Sequence, residues 1–201
     1  MEDFGFTRAE LRRLRAFRTP LLIQHFLESL PYHHADTAWS PRRVMEEGTA
    51  HCLEGAIFAA AALRVNGYKP LLLDFEAVQD SDHVIAIYRM NEGWGAIAKS
   101  NFALIRFRDP VYRSLRELAM SYFDGYHNLR GERTLRAFSR PVNLRRFDRL
   151  NWMTTAEPVW FIPEYLCEIP HTPLLTPAQE HSLTRLDPRV FRAGLIGYQP
   201  H

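Results

Sequence analysis

The stretch Gly48-Thr49-Ala50-His51-Cys52-Leu53-Glu54-Gly55-Ala56 reads as a loop that turns into a helix, with a thiol in the helix's first turn. Thr49 has the side chain of an N-cap, since its hydroxyl can accept from an N–H group left unpaired where a helix opens. That register makes Cys52 the N3 residue. A thiol so placed feels the positive end of the helix, which favours the thiolate, the nucleophilic form. Beyond it, Leu53, Ala56, Ile57, Phe58, the alanines 59–62, Leu63 and Val65 leave no wide polar face, so the helix is expected to be central and ended by Asn66-Gly67. The plainer alternative is a buried and unreactive cysteine, because free cysteine is among the residue types most often found in cores.

Working outward toward the N-terminus, Ser40-Pro41 opens a short helix over residues 42–47, and Gly48 ends it, which delivers the chain to the cysteine helix. Thr7-Arg8-Ala9-Glu10 has the spacing of a capping box, and Leu11, Leu14 and Phe17 follow at helical intervals. Thr19-Pro20 reads as N-cap and N1 of a second amphipathic helix, with Leu21, Leu22, Ile23, Phe26, Leu27 and Leu30 on its apolar face and Pro31 as its stop. Tyr32-His33-His34-Ala35-Asp36 is a loop. Adjacent histidines in a loop do not usually aim at one ion, and no further ligand follows at a familiar spacing, so no metal is expected.

After Gly67 the period changes from helical to extended. Residues 71–76 and 83–89 read as strands, Met90-Asn91-Glu92-Gly93 as a turn, and residues 94–100 as the antiparallel return. If Arg89 pairs with Trp94, then His83 lies opposite Ser100, and a one-residue bulge brings Asn101 or Lys99 there instead. Asp109-Pro110 is read as the start of a helix carrying Leu115, Leu118, Ala119, Tyr122 and Phe123 on one stripe. Arginines recur through residues 130–149 with few aromatics and no recognition motif, so an ion-paired surface is expected and nucleic acid is not. The prolines and large apolar residues from Trp152 onward suggest an extended wrapping segment, with short helices opening at Thr176-Pro177 and Asp187-Pro188. The whole is expected to be one α+β domain, residues 1–201, with its core at about 20–125 and a wrapping segment over 126–201.

A net charge of +2 names no partner class, and no apolar run reaches the length that spans a bilayer, so no membrane association is expected. Two cysteines, Cys52 and Cys167, do not make a disulfide framework, and the opening residues lack a secretory pattern, which makes a reducing cytoplasm the default compartment. No cofactor motif is present. Cys167 sits in an apolar run without a cap or basic neighbour and is expected to be structural.

A thiolate nucleophile needs an imidazole to pair with and to shuttle protons, and the imidazole needs a third group to fix its tautomer. Cys52 at a helix start, followed by an antiparallel sheet with His83 at the start of a strand, fits the first two roles. In this order and in the motifs Cys52-Leu53-Glu54-Gly55-Ala56, Asp82-His83-Val84 and Trp94-Gly95, residues 32–100 resemble the core of the transglutaminase-like branch of the papain-like cysteine enzymes. The resemblance implies a papain-like α+β fold, a central cysteine-bearing helix on a small antiparallel sheet. It also implies attack of Cys52 on the carbonyl of a peptide or small amide or ester, through an acyl-thioester passed to water or an amine.

The family usually presents an aspartate shortly after the tryptophan, where this chain has Ala98-Lys99-Ser100-Asn101. Asn101, re-aimed by a bulge, or Ser100 in regular register is then the orienting residue, and Tyr32, Glu54 and Trp94 are expected in the substrate cleft. The competing expectation is a non-catalytic member that keeps the fold as a peptide-binding or scaffold module, for which the missing aspartate is the best support.

Overall fold

The computed structural model describes residues 3–200. Local signals set most helix boundaries. In α1 (Arg8–Ala16) the Thr7 hydroxyl accepts from Glu10 N–H at 3.3 Å while the Glu10 carboxylate accepts from Thr7 N–H at 2.6 Å, the reciprocal pairing expected of a capping box. α2 (Pro20–Ser29) is capped by Thr19, and α3 (Pro41–Glu47) is capped by Ser40 and closed by Gly48 at φ +66°. α4 (Cys52–Val65) opens two residues later than a Thr49 cap would require. The Thr49 hydroxyl donates to the Pro31 carbonyl at 3.0 Å instead, His51 becomes the N-cap, and Cys52 is N1, not N3.

The strands are β1 (Leu71–Ala77), β2 (His83–Met90), β3 (Gly93–Ile97), β4 (Arg108–Tyr112), β5 (Leu135–Ser139), β6 (Val142–Asn143) and β7 (His171–Pro173). They form one seven-stranded antiparallel sheet in the order β4-β3-β2-β1-β5-β7, with β6 also on β1. Arg89 pairs with Trp94 across the tight turn, the register read from the sequence. Asp109-Pro110 does not start a helix: both residues lie in β4 at one edge of the sheet, where a missing N–H costs little, and α5 (Leu115–Phe123) opens at Ser114. The C-terminal part is more than a wrapping segment. It returns to supply β5, β6 and β7 beyond β1, and Pro173 stands in the other edge strand.

Both faces of the sheet are covered. Leu72, Val84, Ala86 and Tyr88 alternate toward α4, α1 and α2, and toward α6 (Phe161–Glu168), whereas Leu73, Phe75, Ile85 and Ile87 face α5 and the β5 side chains. Short helices α7 (Pro177–His181) and α8 (Pro188–Gly194) close the chain, opened by Thr176 and Asp187. Cys167, expected to be structural, lies exposed: on the short α6, packed by Ile162 and Leu166, it falls on the outer face. Among the described residues no helix is long and apolar enough to cross a membrane.

α4 is the centre of the larger core, with residues 53–63 all buried. Gly55 lets the helix approach the segment after β3, because a Cβ there would collide with the Lys99 side chain. Two expectations follow from this packing. Leu63, with no exposure, should cost about 2 to 5 kcal/mol when cut to alanine, measured by urea denaturation. Gly55→Ala should also destabilise, by roughly 1 to 3 kcal/mol, although alanine is the better helix former; a stabilised variant would refute the close approach.

Candidate active site

The site forms where the sheet stops. The β2–β3 ladder ends at Ala86–Ile97, because the next residues of the chain are held by other partners. The buried Gln24 carboxamide of α2 grips Ala98, accepting from its N–H at 3.0 Å and donating to its C=O at 2.9 Å. Lys99 turns inward, and its ammonium donates to the Leu27 carbonyl at 2.8 Å and to that of Leu30, closing the C-terminus of α2. Burial pushes the Lys99 pKa down to about 8. The start of β2 therefore has no β3 neighbour, and the Val84 N–H, one residue after His83, faces the Cys52 thiol.

A cavity of about 130 Å³ opens there, lined by Cys52, His83, Tyr32, Ser100 and Asn101, and also by Tyr126 and His127 from the loop after α5. Five of the sequence-predicted residues thus share one cavity. The thiol and the imidazole enter it from opposite sides of the sheet's end: α4 lies on the Val84 face, while His83 shares the face of Ile85 and Phe75 and stands edge-on to the Tyr126 ring at 6.2 Å. His83 is buried, its Nε2 has no hydrogen-bond partner, and burial pushes its pKa down to about 4, so it is neutral near pH 7.

Neither proposed orienting residue reaches that imidazole nitrogen. The Asn101 carboxamide is engaged with the Gln199 backbone, and Ser100 Oγ accepts from Phe102 N–H at 2.9 Å. The strand does end before Ser100, but its end sends Asn101 to the tail of the chain and not to His83. The thiol also departs from expectation. Burial pushes its pKa up, the N–H groups of Val84 and Leu53 oppose that, and the Asp74 carboxylate adds to it. Desolvation outweighs the helix terminus, and the resting form is thiol.

Tyr32 is held next to Cys52 by a parallel bridge to Ala50, and its hydroxyl faces the thiol and the Cys52 backbone N–H. Burial, then the neighbouring thiol, push its phenol well above the usual range. Glu54 is not in the cleft. It has no exposure, and its carboxylate accepts from Thr37 Oγ1 (2.6 Å), Trp39 N–H (3.2 Å), His33 Nδ1 (3.2 Å) and His51 N–H (3.2 Å). The His33, His51 and Glu54 donor atoms lie within 4.8 Å of one another, the one grouping among the described residues that could hold a metal. Hydrogen bonds already account for each: Thr37 gives its hydroxyl proton to Glu54, so His33 Nδ1–H serves both, and His51 Nε2–H goes to the Thr37 carbonyl at 2.8 Å. Trp94 is likewise outside the cleft, at the turn end of β3, under the Arg89 guanidinium and beside a separate cavity.

Sequence reading missed four groups around the site. Tyr126 donates to the Ser81 carbonyl at 2.7 Å, and His127 has a buried Nε2 without a partner. Asp74, opposite Val84, binds His171 Nε2 at 2.9 Å, while His171 Nδ1 meets the Ile169 carbonyl at 2.9 Å. Only the aspartate within the apolar run of β1 signalled this pair in the sequence. No family model matches the chain, and no curated protein matches it.

The buried His83 predicts a pH effect of definite sign. Between about pH 6.5 and pH 4 the unfolded chain takes up a proton that the folded chain does not, so stability falls as pH falls, by roughly 3 kcal/mol at pH 4. Urea denaturation at pH 7 and pH 4 should show the loss shrinking by about that amount in His83→Gln; parallel losses would mean that His83 titrates normally.

Proposed function

We propose that this chain is a transglutaminase-like protein with the papain-type arrangement, in which Cys52 accepts an acyl group from an amide or ester. The observation that carries this reading is that Cys52 and His83 line one cavity, with the Val84 N–H facing the thiol. A neutral thiol and a neutral imidazole call for general-base catalysis during attack, not for a preformed ion pair. His83 takes the Sγ proton as the Sγ–carbon bond forms; the carbonyl carbon–nitrogen or carbon–oxygen bond then breaks, and the proton passes to the leaving group. Water or an amine releases the acyl group by the reverse steps. The Cys52 N–H and the Tyr32 hydroxyl, both beside the thiol, would donate to the developing oxyanion.

A second reading, a non-catalytic module of the same fold, draws support from the raised thiol pKa and from His83 Nε2, which no third residue holds. Intact-mass analysis after incubation with activated esters and peptide thioesters separates the two. An acyl adduct on Cys52 that hydroxylamine removes, absent in Cys52→Ala and formed about 10²-fold or more slowly in His83→Ala, supports the enzyme. Ser100→Ala should leave acylation nearly unchanged, since its hydroxyl is engaged with Phe102. Acylation of Cys52 no faster than of the exposed Cys167 favours the module.

A further inference from the structure

The tail of the chain folds back over the Cys52 cavity. α8 docks first: Ala103 N–H donates to the Gly194 carbonyl at 2.8 Å, and a Cβ on Gly194 would collide with His127 Nε2. Gly197, at φ +75°, then reverses the chain, a conformation that favours glycine. Tyr198 comes to line the cavity together with Cys52 and Asn101, its ring 5.2 Å from that of Phe102. Both polar groups of the Gln199 backbone are taken by one side chain: Asn101 Oδ1 accepts from its N–H at 2.9 Å, and Asn101 Nδ2 donates to its C=O at 2.7 Å.

A carboxamide that grips the N–H and C=O of one residue recognises main chain and is indifferent to the side chain it carries. Gln24 does this to Ala98 inside the core, where the contact is permanent. The Asn101 contact is solvent-exposed, and water competes for both of its hydrogen bonds, so the tail is exchangeable.

We propose that Asn101 and the Phe102 ring form a subsite for the main chain of an extended peptide beside Cys52, and that residues 198–199 occupy it in cis. An aromatic residue stacks on Phe102 and the following peptide group pairs with Asn101. The tail therefore competes with an incoming peptide and limits access to the thiol. Acyl transfer is assumed only where this names a peptide as the acyl donor; the binding and the cover do not depend on it.

The test uses iodoacetamide alkylation with peptide mapping, and fluorescence anisotropy with a labelled, end-blocked peptide of residues 195–200. In a chain ending at Gly197 and in full-length Asn101→Leu, the Cys52 alkylation rate should rise about ten-fold, the change expected when a mostly occupied site is vacated. Cys167, exposed on α6, reports in the same sample and should not change. The peptide should bind the shortened chain, bind full-length protein at least ten-fold more weakly, and fail to bind the shortened chain carrying Asn101→Leu. A peptide with other side chains but the same aromatic residue should bind the shortened chain comparably.

Unchanged Cys52 rates in both variants overturn the cover. A faster Cys52 without peptide binding, or binding that survives Asn101→Leu, overturns the subsite. If the shortened chain does not fold, full-length Tyr198→Ala and Asn101→Leu decide: Tyr198→Ala, which removes the tail's contact with Phe102 and keeps Asn101, must both speed Cys52 alkylation and gain peptide binding, whereas Asn101→Leu must speed alkylation without gaining binding, and no gain of either kind in Tyr198→Ala means that the tail is not a competitor. No readout requires turnover, so these failures are distinct from a failure of Cys52 acylation.

Discussion

A fully buried carboxylate with four donors around it holds the site together. Glu54, on the first turn of α4, ties Thr37 and Trp39 of the preceding loop, His33 beside Tyr32, and the His51 N–H to the helix that begins at Cys52. A buried charge is costly unless it is saturated with hydrogen bonds, and saturation requires that every donor arrive together. The loop and the helix start are thus fixed as one unit. His33 stacks on Trp39 at 4.2 Å and stiffens the same loop, so the Tyr32 hydroxyl is presented to the thiol by a frame that does not touch the cavity.

The second constraint is the early end of β3. A continued ladder would fill the space beside Val84 with backbone; Gln24 and Lys99 divert that backbone to α2, and the vacated N–H is left to the thiol. The cavity is thus a consequence of unfinished pairing. The thiol itself is buried at its floor, and that burial raises its pKa above what the helix terminus alone would give.

Features encoded by residues a few positions apart were legible in the sequence. The caps at Thr7, Thr19, Ser40 and Thr176, the turn at Asn91-Glu92 and the Arg89–Trp94 register each depend on local geometry. Features decided by distant partners were not. Thr49 has the chemistry of a cap but spends its hydroxyl on Pro31; Asp109-Pro110 has the chemistry of a helix start but meets β3; and β5 and β6 find β1 from about sixty to seventy residues away. In the candidate site, Cys52, His83 and Tyr32, which line one cavity, were singled out because their residue types carry chemistry. Glu54 and Trp94 were misplaced because proximity in sequence says nothing about which face of a helix or which end of a strand a residue occupies.

The two edge strands each carry a proline, Pro110 in β4 and Pro173 in β7. Proline has no N–H to offer a new neighbour, so both rims of the sheet are poor templates for a further strand. Self-association by sheet extension, the route by which open β edges grow into fibrils, is thereby disfavoured along β4 and β7. Copies of this chain that do meet are left to do so through helix faces or the exposed arginine-rich surface, where contact is reversible and responds to salt.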